Sequence, residues 1–220
     1  MHRHATLSEL FWAKDAESDN LAKQWAATAA VQALDLTWKG FEQLRVSRLS
    51  RIDFSQPLEQ VERDLARNHC VEITSVWARE TSGYSSLVPI HEYPELESRS
   101  SAPAKPPAID LGFAHRENLR WHWSIEAKVV RDPTNLTLYM GDVHKFVSGV
   151  AAPLVGEGGL IAYLLSGKEE DLFAELEVQL GQTLAVVTEF SARAHRASSH
   201  DRVSFPHLRL HHMAMNCRAV

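Results

Sequence analysis

From Trp121 to Val130 apolar and polar residues follow a period of two, unbroken as far as Val129, and this pattern most constrains the fold. Trp121, Trp123, Ile125, Ala127 and Val129 fall on one face, and His122, Ser124, Glu126 and Lys128 on the other. That is the pattern of a β-strand with one apolar face. Glu126 and Lys128 therefore point the same way, about 6–7 Å apart along the strand. Upstream, Ile109, Leu111 and Phe113 alternate with Asp110 and Gly112, which predicts a second short strand. The polar stretch His115 to Arg120 then joins the two strands as a hairpin and sets Asp110 beside Glu126. Gly112, on the side of Asp110, leaves room for a close approach.

Two carboxylates and an amine at the ends of paired strands can hold a divalent cation beside a scissile phosphate. Phosphodiester hydrolysis needs a more nucleophilic water and a stabilised pentavalent phosphate. Mg²⁺ serves both needs and prefers one or two carboxylates together with waters and phosphate oxygens. The Lys128 ammonium, beside that water, can orient it or stabilise the developing charge. A Glu-x-Lys on a strand is by itself usually a solvated face. The apolar opposite face and the upstream Ile-Asp-Leu-Gly give this one its weight.

With Asp110, Glu126 and Lys128 at the motif positions, the segment resembles the PD-(D/E)xK nuclease superfamily. Ile109 stands where a proline precedes the aspartate, and Pro106 and Pro107 lie slightly upstream. The resemblance implies an α/β restriction-endonuclease-like fold, a central mixed sheet flanked by helices. It also implies a Mg²⁺-dependent endonuclease, with Mn²⁺ as a substitute. In that reading Asp110 and Glu126 hold the metal and Lys128 positions or polarises the water. A glutamate on the helix before the motif strands joins the metal site in this superfamily. Glu62 is the expected residue and Glu59 its rival. DNA is favoured over RNA as substrate. The order of elements is also similar, more distantly, to nuclease components of bacterial restriction and anti-phage systems. The alternative is a catalytically inactive member serving as a binding or assembly module in a larger complex.

Length and composition set the surroundings. The chain has 220 residues, 45% hydrophobic and 23% charged, which suits one domain over 1–220 with 1–55 as a helical N-terminal extension packed on it. The most apolar run, Val147 to Leu165, is interrupted by Pro153 and Glu157, so no membrane partner is expected. The first residues lack the apolar core of a signal peptide. Two cysteines, Cys70 and Cys217, imply no disulfide framework, and a cytoplasmic location is expected. A net charge of −5 counts against a strong free-standing nucleic-acid binder. A protein partner that supplies target recognition is therefore expected, with a homo-oligomer as a further possibility. Local basic surface is still available. From Ser191 to Val220 there are five arginines, five histidines and one acid, Asp201. Arg45, Arg48 and Arg51 form a second cluster, followed by Arg63 and Arg67. Lys145, Arg193, His195, Arg196 and Arg202 are the expected nucleic-acid contacts.

The remaining elements follow from periodicity and punctuation. A helix is expected over Thr6–Ala16, with Thr6 and Glu9 as a capping box, and a longer one over Asn20–Arg51 with a break at Gly40. Pro57 opens a helix from Leu58 to Val76, whose stripe of Leu58, Val61, Leu65 and Ile73 borders Glu62, a carboxylate in need of a partner. A short strand is expected near Leu87–Ile90, then a mobile loop where Glu92, Glu95 and Glu97 are solvated. Asp132-Pro133-Thr134-Asn135 is a turn, and a helix follows over Asp142–Ala152. Gly156 to Gly159 reads as a tight loop, Lys168–Gly181 as an acidic helix, and Leu184–Phe190 and Val203–Met215 as strands. Residues 195–202 read as an exposed polar loop. His211 and His212 point to opposite faces of a strand and cannot jointly chelate a metal. Neither a zinc spacing, a phosphate-binding glycine loop nor a nucleophile elbow is present.

Overall fold

The computed structural model describes residues 16–81, 85–95 and 108–218. The helix expected from Thr6 lies, up to residue 15, outside the described residues, as does Glu97. Helix α1 spans Ala16–Ser47 and α2 spans Leu58–Thr81, the latter running on past the expected end at Val76. Strands β1 (Leu87–Pro94), β2 (Ala108–His115) and β3 (Asn118–Val130) follow. Then come α3 (Thr137–Val147), β4 (Glu157–Leu164), α4 (Glu169–Leu180), β5 (Ala185–Val186), β6 (His195–His200) and β7 (Leu208–Asn216).

The strands form one seven-stranded mixed sheet in the order β1-β2-β3-β4-β7-β6-β5. β1, β2 and β3 are an antiparallel meander, β3, β4 and β7 run parallel, and β6 and β5 return antiparallel. The parallel β3–β4 step needs a crossover, and α3 supplies it. One face of the sheet carries α1 and α2, where Phe41 and His69 meet Tyr163. The other carries α3 and α4, where the Tyr139 hydroxyl meets His212 Nδ1 at 3.0 Å and Arg196 lies over Phe173. With both faces covered, the central strands bury residues of either parity. Among the described residues no helix is long and apolar enough to cross a membrane.

Several local expectations are corrected by packing. Gly40 does not break α1. A Cβ there would stand 2.5 Å from Ile73 Cγ1 and 2.9 Å from the Ile73 backbone nitrogen, so the glycine marks where α1 and α2 cross. Of the loop expected over Gly156–Gly159, only Gly156 lies outside the sheet, and Glu157 to Gly159 are the start of β4. There a Cβ on Gly158 would meet the Phe146 ring at 2.5 Å, and one on Gly159 the Trp123 ring at 3.0 Å. Helix α3 begins at Thr137, ahead of the expected Asp142, because Tyr139, Val143 and Phe146 make its buried stripe. The hairpin between β2 and β3 is tighter than His115–Arg120, since β3 already starts at Asn118. The strand over Leu184–Phe190 is reduced to Ala185–Val186 and a 3₁₀ turn at Thr188–Phe190.

Gly40 and Gly141 give a paired stability test. Helix propensity favours alanine over glycine by about 1 kcal/mol, but overpacking against backbone costs about 1–3 kcal/mol. Gly141 has nothing within 4 Å of its would-be Cβ. Thermal melts are expected to show a lower Tm for Gly40→Ala and an unchanged or higher Tm for Gly141→Ala, each by about 2–4 °C per kcal/mol.

Candidate active site

The site forms where two strands part. β2 pairs with β3 as far as Leu111↔Ile125, while its earlier residues pair only with β1, at Tyr93↔Ile109 and Pro94↔Ala108. Beyond the fork, the β2-side N–H groups of β3 have no ladder partner and must be satisfied otherwise. Carboxylates take that place. Asp110 Oδ2 accepts from the Ala127 N–H at 2.8 Å, and Glu62 Oε2, from α2, accepts from the Val129 N–H at 3.2 Å. Asp110, one residue before the last β2–β3 pair, thus reaches the β3 backbone next to Glu126.

Lys128 is clamped at the same place. Its Nζ donates to Glu62 Oε1 at 2.7 Å and to the Ala127 carbonyl at 3.1 Å, and lies 3.3 Å from Asp142 Oδ2 on α3. Glu126 is only 4% exposed and accepts from Lys145 Nζ at 3.3 Å. Lys145 also pairs with Asp142 Oδ1 at 2.7 Å. The structure thus brings together Asp110, Glu126, Lys128 and Glu62, and adds Asp142 and Lys145. Glu59, the rival of Glu62, is exposed and pairs with Arg63. Glu62 has both oxygens engaged on β3, so here it is a clamp for Lys128 and the strand end.

Burial and like charge govern the protonation of this cluster. Burial, with the Asp110 charge next, pushes the Glu126 carboxyl up to about 8. Asp110 is raised too, by burial and by Asp142, against the pull of the Ala127 N–H and of Lys128. Burial likewise raises Glu62, although Lys128 partly offsets it. For Lys128 burial works downward, but Asp142, Glu62 and Asp110 outweigh it and hold the ammonium above its usual range. Lys145 is raised in the same manner, chiefly by Glu126.

Does this donor set suit a divalent cation? Among the described residues no three His, Cys, Asp or Glu side chains converge as a ready-made cage. Mg²⁺ does not require one, since it keeps several waters and commonly uses one or two carboxylates. The Asp110–Glu126 pair supplies that number, and a further buried carboxylate lies nearby. Asp142 Oδ2 accepts no hydrogen bond but is ion-paired with Lys128 Nζ at 3.3 Å. Hard oxygen donors of this kind fit a hard cation. Two clefts open beside them. One of about 210 Å³ is lined by Glu62, His91 and Asp110, and another of about 290 Å³ by Lys128, Arg131 and Asn135.

The expected nucleic-acid contacts are placed differently. Residues 195–200 are strand β6, and His195 is fully buried, accepting from Trp38 Nε1 at 3.2 Å and bonded to His211 at 3.0 Å. Arg202 is buried and donates to the carbonyls of Phe146, Ala152, Val155 and Pro206. It pins the chain around β4. Arg193 pairs with Asp35 and Glu42 and lies over Trp38, while Arg196 lies over Phe173. Lys145 joins the carboxylate cluster. Glu95, expected in solvent, is 1% exposed and accepts from the Ala152 N–H at 3.2 Å and bonds His122 at 2.8 Å. Asp142 escaped the sequence reading because the helix was started at it. Three residues after Tyr139, on the same buried stripe, it was readable as a buried carboxylate.

Comparison with protein-family models, with curated proteins and with solved structures finds no match to this chain.

The raised Glu126 pKa has a sign that can be measured. The ordinary carboxyl value is 4.5 and the folded value about 8. Between them the fold binds a proton that the unfolded chain has lost, so stability falls as pH rises through that window. Glu126→Gln removes this penalty. Its Tm is expected to gain on the wild type by several degrees from about pH 5 to about pH 8, read by calorimetry without added metal.

Proposed function

We propose that the chain is a metal-dependent nuclease of restriction-endonuclease-like fold, hydrolysing phosphodiester bonds, with DNA as the favoured substrate. The observation that carries this reading is the fork. Asp110 reaches across to the β3 backbone at Ala127, the residue after Glu126, and a clamped ammonium lies two residues along β3 from Glu126. The order helix with Glu62, then two motif strands, also agrees with the resemblance to PD-(D/E)xK nucleases.

The roles follow from what each side chain touches. Asp110 is oriented by the Ala127 N–H, which leaves its other oxygen for a ligand. Glu126 and Asp110 are the residues that would hold Mg²⁺ or Mn²⁺. Such an ion, when bound, polarises the phosphate and makes its water more acidic. Lys128, fixed between Glu62 and Asp142, keeps its positive charge and faces the place where charge develops on phosphate. A preorganised cation there needs no rearrangement during reaction. Glu62 positions Lys128. Arg131, exposed in the cleft that Lys128 lines, is a cation available to the phosphate backbone. The scissile phosphate then sits over the fork, between the two clefts. A role in restriction or phage defence, alongside a partner that selects the target, is the biological setting of this reading.

One observation favours a second reading, an inactive module for binding or assembly. His195 and Arg202 are spent inside the fold and Arg193 on ion pairs, so the segment from Ser191 onward offers less free basic surface than its composition suggests.

Supercoiled plasmid, single-stranded DNA and RNA, each with Mg²⁺ or Mn²⁺, separate the two. Wild type is expected to cleave at least one. Asp110→Ala and Lys128→Ala are expected to lower the rate by about a hundredfold or more while melting as folded proteins. Equal silence of wild type and variants supports the binding module. Equal cleavage by wild type and Asp110→Ala removes the assigned site.

A further inference from the structure

Lys145 is placed unlike an ordinary surface lysine. Its Nζ stands 2.7 Å from Asp142 Oδ1 and 3.3 Å from Glu126 Oε2. It bridges two carboxylates that are 3% and 5% exposed at their side chains, while its own side chain is 44% exposed. The ammonium thus enters from the rim and ends at the oxygens with the greatest need of positive charge. The other oxygen of Asp142, Oδ2, accepts no hydrogen bond. Lys128 meets that oxygen at 3.3 Å, and Glu62 and the Ala127 carbonyl hold its ammonium there, so the contact with Glu126 falls to Lys145.

A divalent cation shared by Asp110 and Glu126 would make the same demand on Glu126. Both cations need its carboxylate, and two positive charges within one ligand distance of it repel strongly in a poorly solvated site. We infer that Lys145 is a tethered stand-in cation, occupying Glu126 and Asp142 in the metal-free protein and excluded from Glu126 when a divalent ion binds. The inference rests on the cation site proposed above and goes beyond it by assigning a competitor within the chain. The displaced side chain has solvent to enter, since it hangs from the exposed side of α3. Metal loading is then weaker than the carboxylates alone would allow, by the strength of the Lys145 contact that must break.

Calorimetric titration of Mn²⁺ into the full chain tests this. Losing a charged hydrogen bond of this kind corresponds to a change of about tenfold to a hundredfold in affinity. Lys145→Met and Lys145→Gln are expected to bind Mn²⁺ tighter than wild type by about that factor. Arg63→Met is the control for charge acting through space. Arg63 lines the cleft of Asp110 and Glu62 but pairs with the exposed Glu59, and its removal is expected to change affinity by less than about threefold, as for a screened surface charge. In wild type, Mg²⁺ is expected to shift the Lys145 Nζ resonance, a reading that needs no variant to fold. Unchanged or weaker Mn²⁺ binding in both Lys145 variants, an equal gain in Arg63→Met, or an unmoved Lys145 resonance at saturating Mg²⁺ overturns the inference and leaves the cation site standing. Absence of Mn²⁺ binding by every form removes the site itself, and the inference with it.

Discussion

The parting of β2 from β3 beyond Leu111 and Ile125 is the constraint on which the site depends. A strand in mid-sheet cannot leave its N–H groups unpaired without cost, roughly 1–3 kcal/mol for each buried group. β2 turns away to follow β1, and two side-chain carboxylates take up the Ala127 and Val129 N–H groups in its place. The backbone requirement fixes Asp110 and Glu62 in position and orientation. Glu126 and Lys128, on the next strand, are fixed by the strand itself. The cluster therefore needs no loop to assemble it, which gives the geometric precision that a phosphoryl-transfer site would demand.

Covering both faces of the sheet explains the rest of the polar interior. β3, β4 and β7 have helices above and below, so the polar residues of β3 are enclosed with the apolar ones. Each such group then needs a named partner. His122 finds Glu95, His211 finds Glu157 and His195, and His212 finds Tyr139 and Ser198. The Trp38 indole can only donate, so His195 carries its proton on Nε2 and donates it to His211 Nδ1. His211 in turn donates from Nε2 to Glu157. The relay from Trp38 through His195 to His211 holds α1 to β6 and β7.

What was legible in the sequence follows from this. The alternation in Trp121–Val130 and the companion strand at Asp110 are local signals, and they located the carboxylate pair and the lysine. Glu62 was legible because a carboxylate beside an apolar stripe needs a partner, and Lys128 is that partner. Lys145, His195 and Arg202 were not legible as placed. The segment His-Arg-Ala-Ser-Ser-His reads as a loop by composition. It becomes a strand because residues distant in sequence, Trp38 and His211 among them, satisfy its polar groups. Arg202 looks like a phosphate contact until the carbonyls of residues 146–155 are brought to it. Gly40 was read as a helix breaker, since propensity carries no knowledge of Ile73 on the facing helix.

The charge balance of the fork bears on why such a cluster is there at all. Glu62, Asp110, Glu126 and Asp142 carry four negative charges when ionised, against two positive charges on Lys128 and Lys145. A buried ion network adds little net stability, because desolvation offsets much of the Coulomb gain. An unbalanced one is worse, and burial first, with the Asp110 charge next, raises the Glu126 carboxyl to about 8. A scaffold built for stability alone would pair these groups one to one or use apolar side chains of similar volume. With both lysines counted, two negative charges remain in excess on hard oxygen donors beside open clefts, and a divalent cation at the proposed site would neutralise them. A proton on Glu126 takes up one of the two, while Lys145, already counted, reaches Glu126 from the rim. Both are removable at small structural cost, because neither is built into the backbone of the fork.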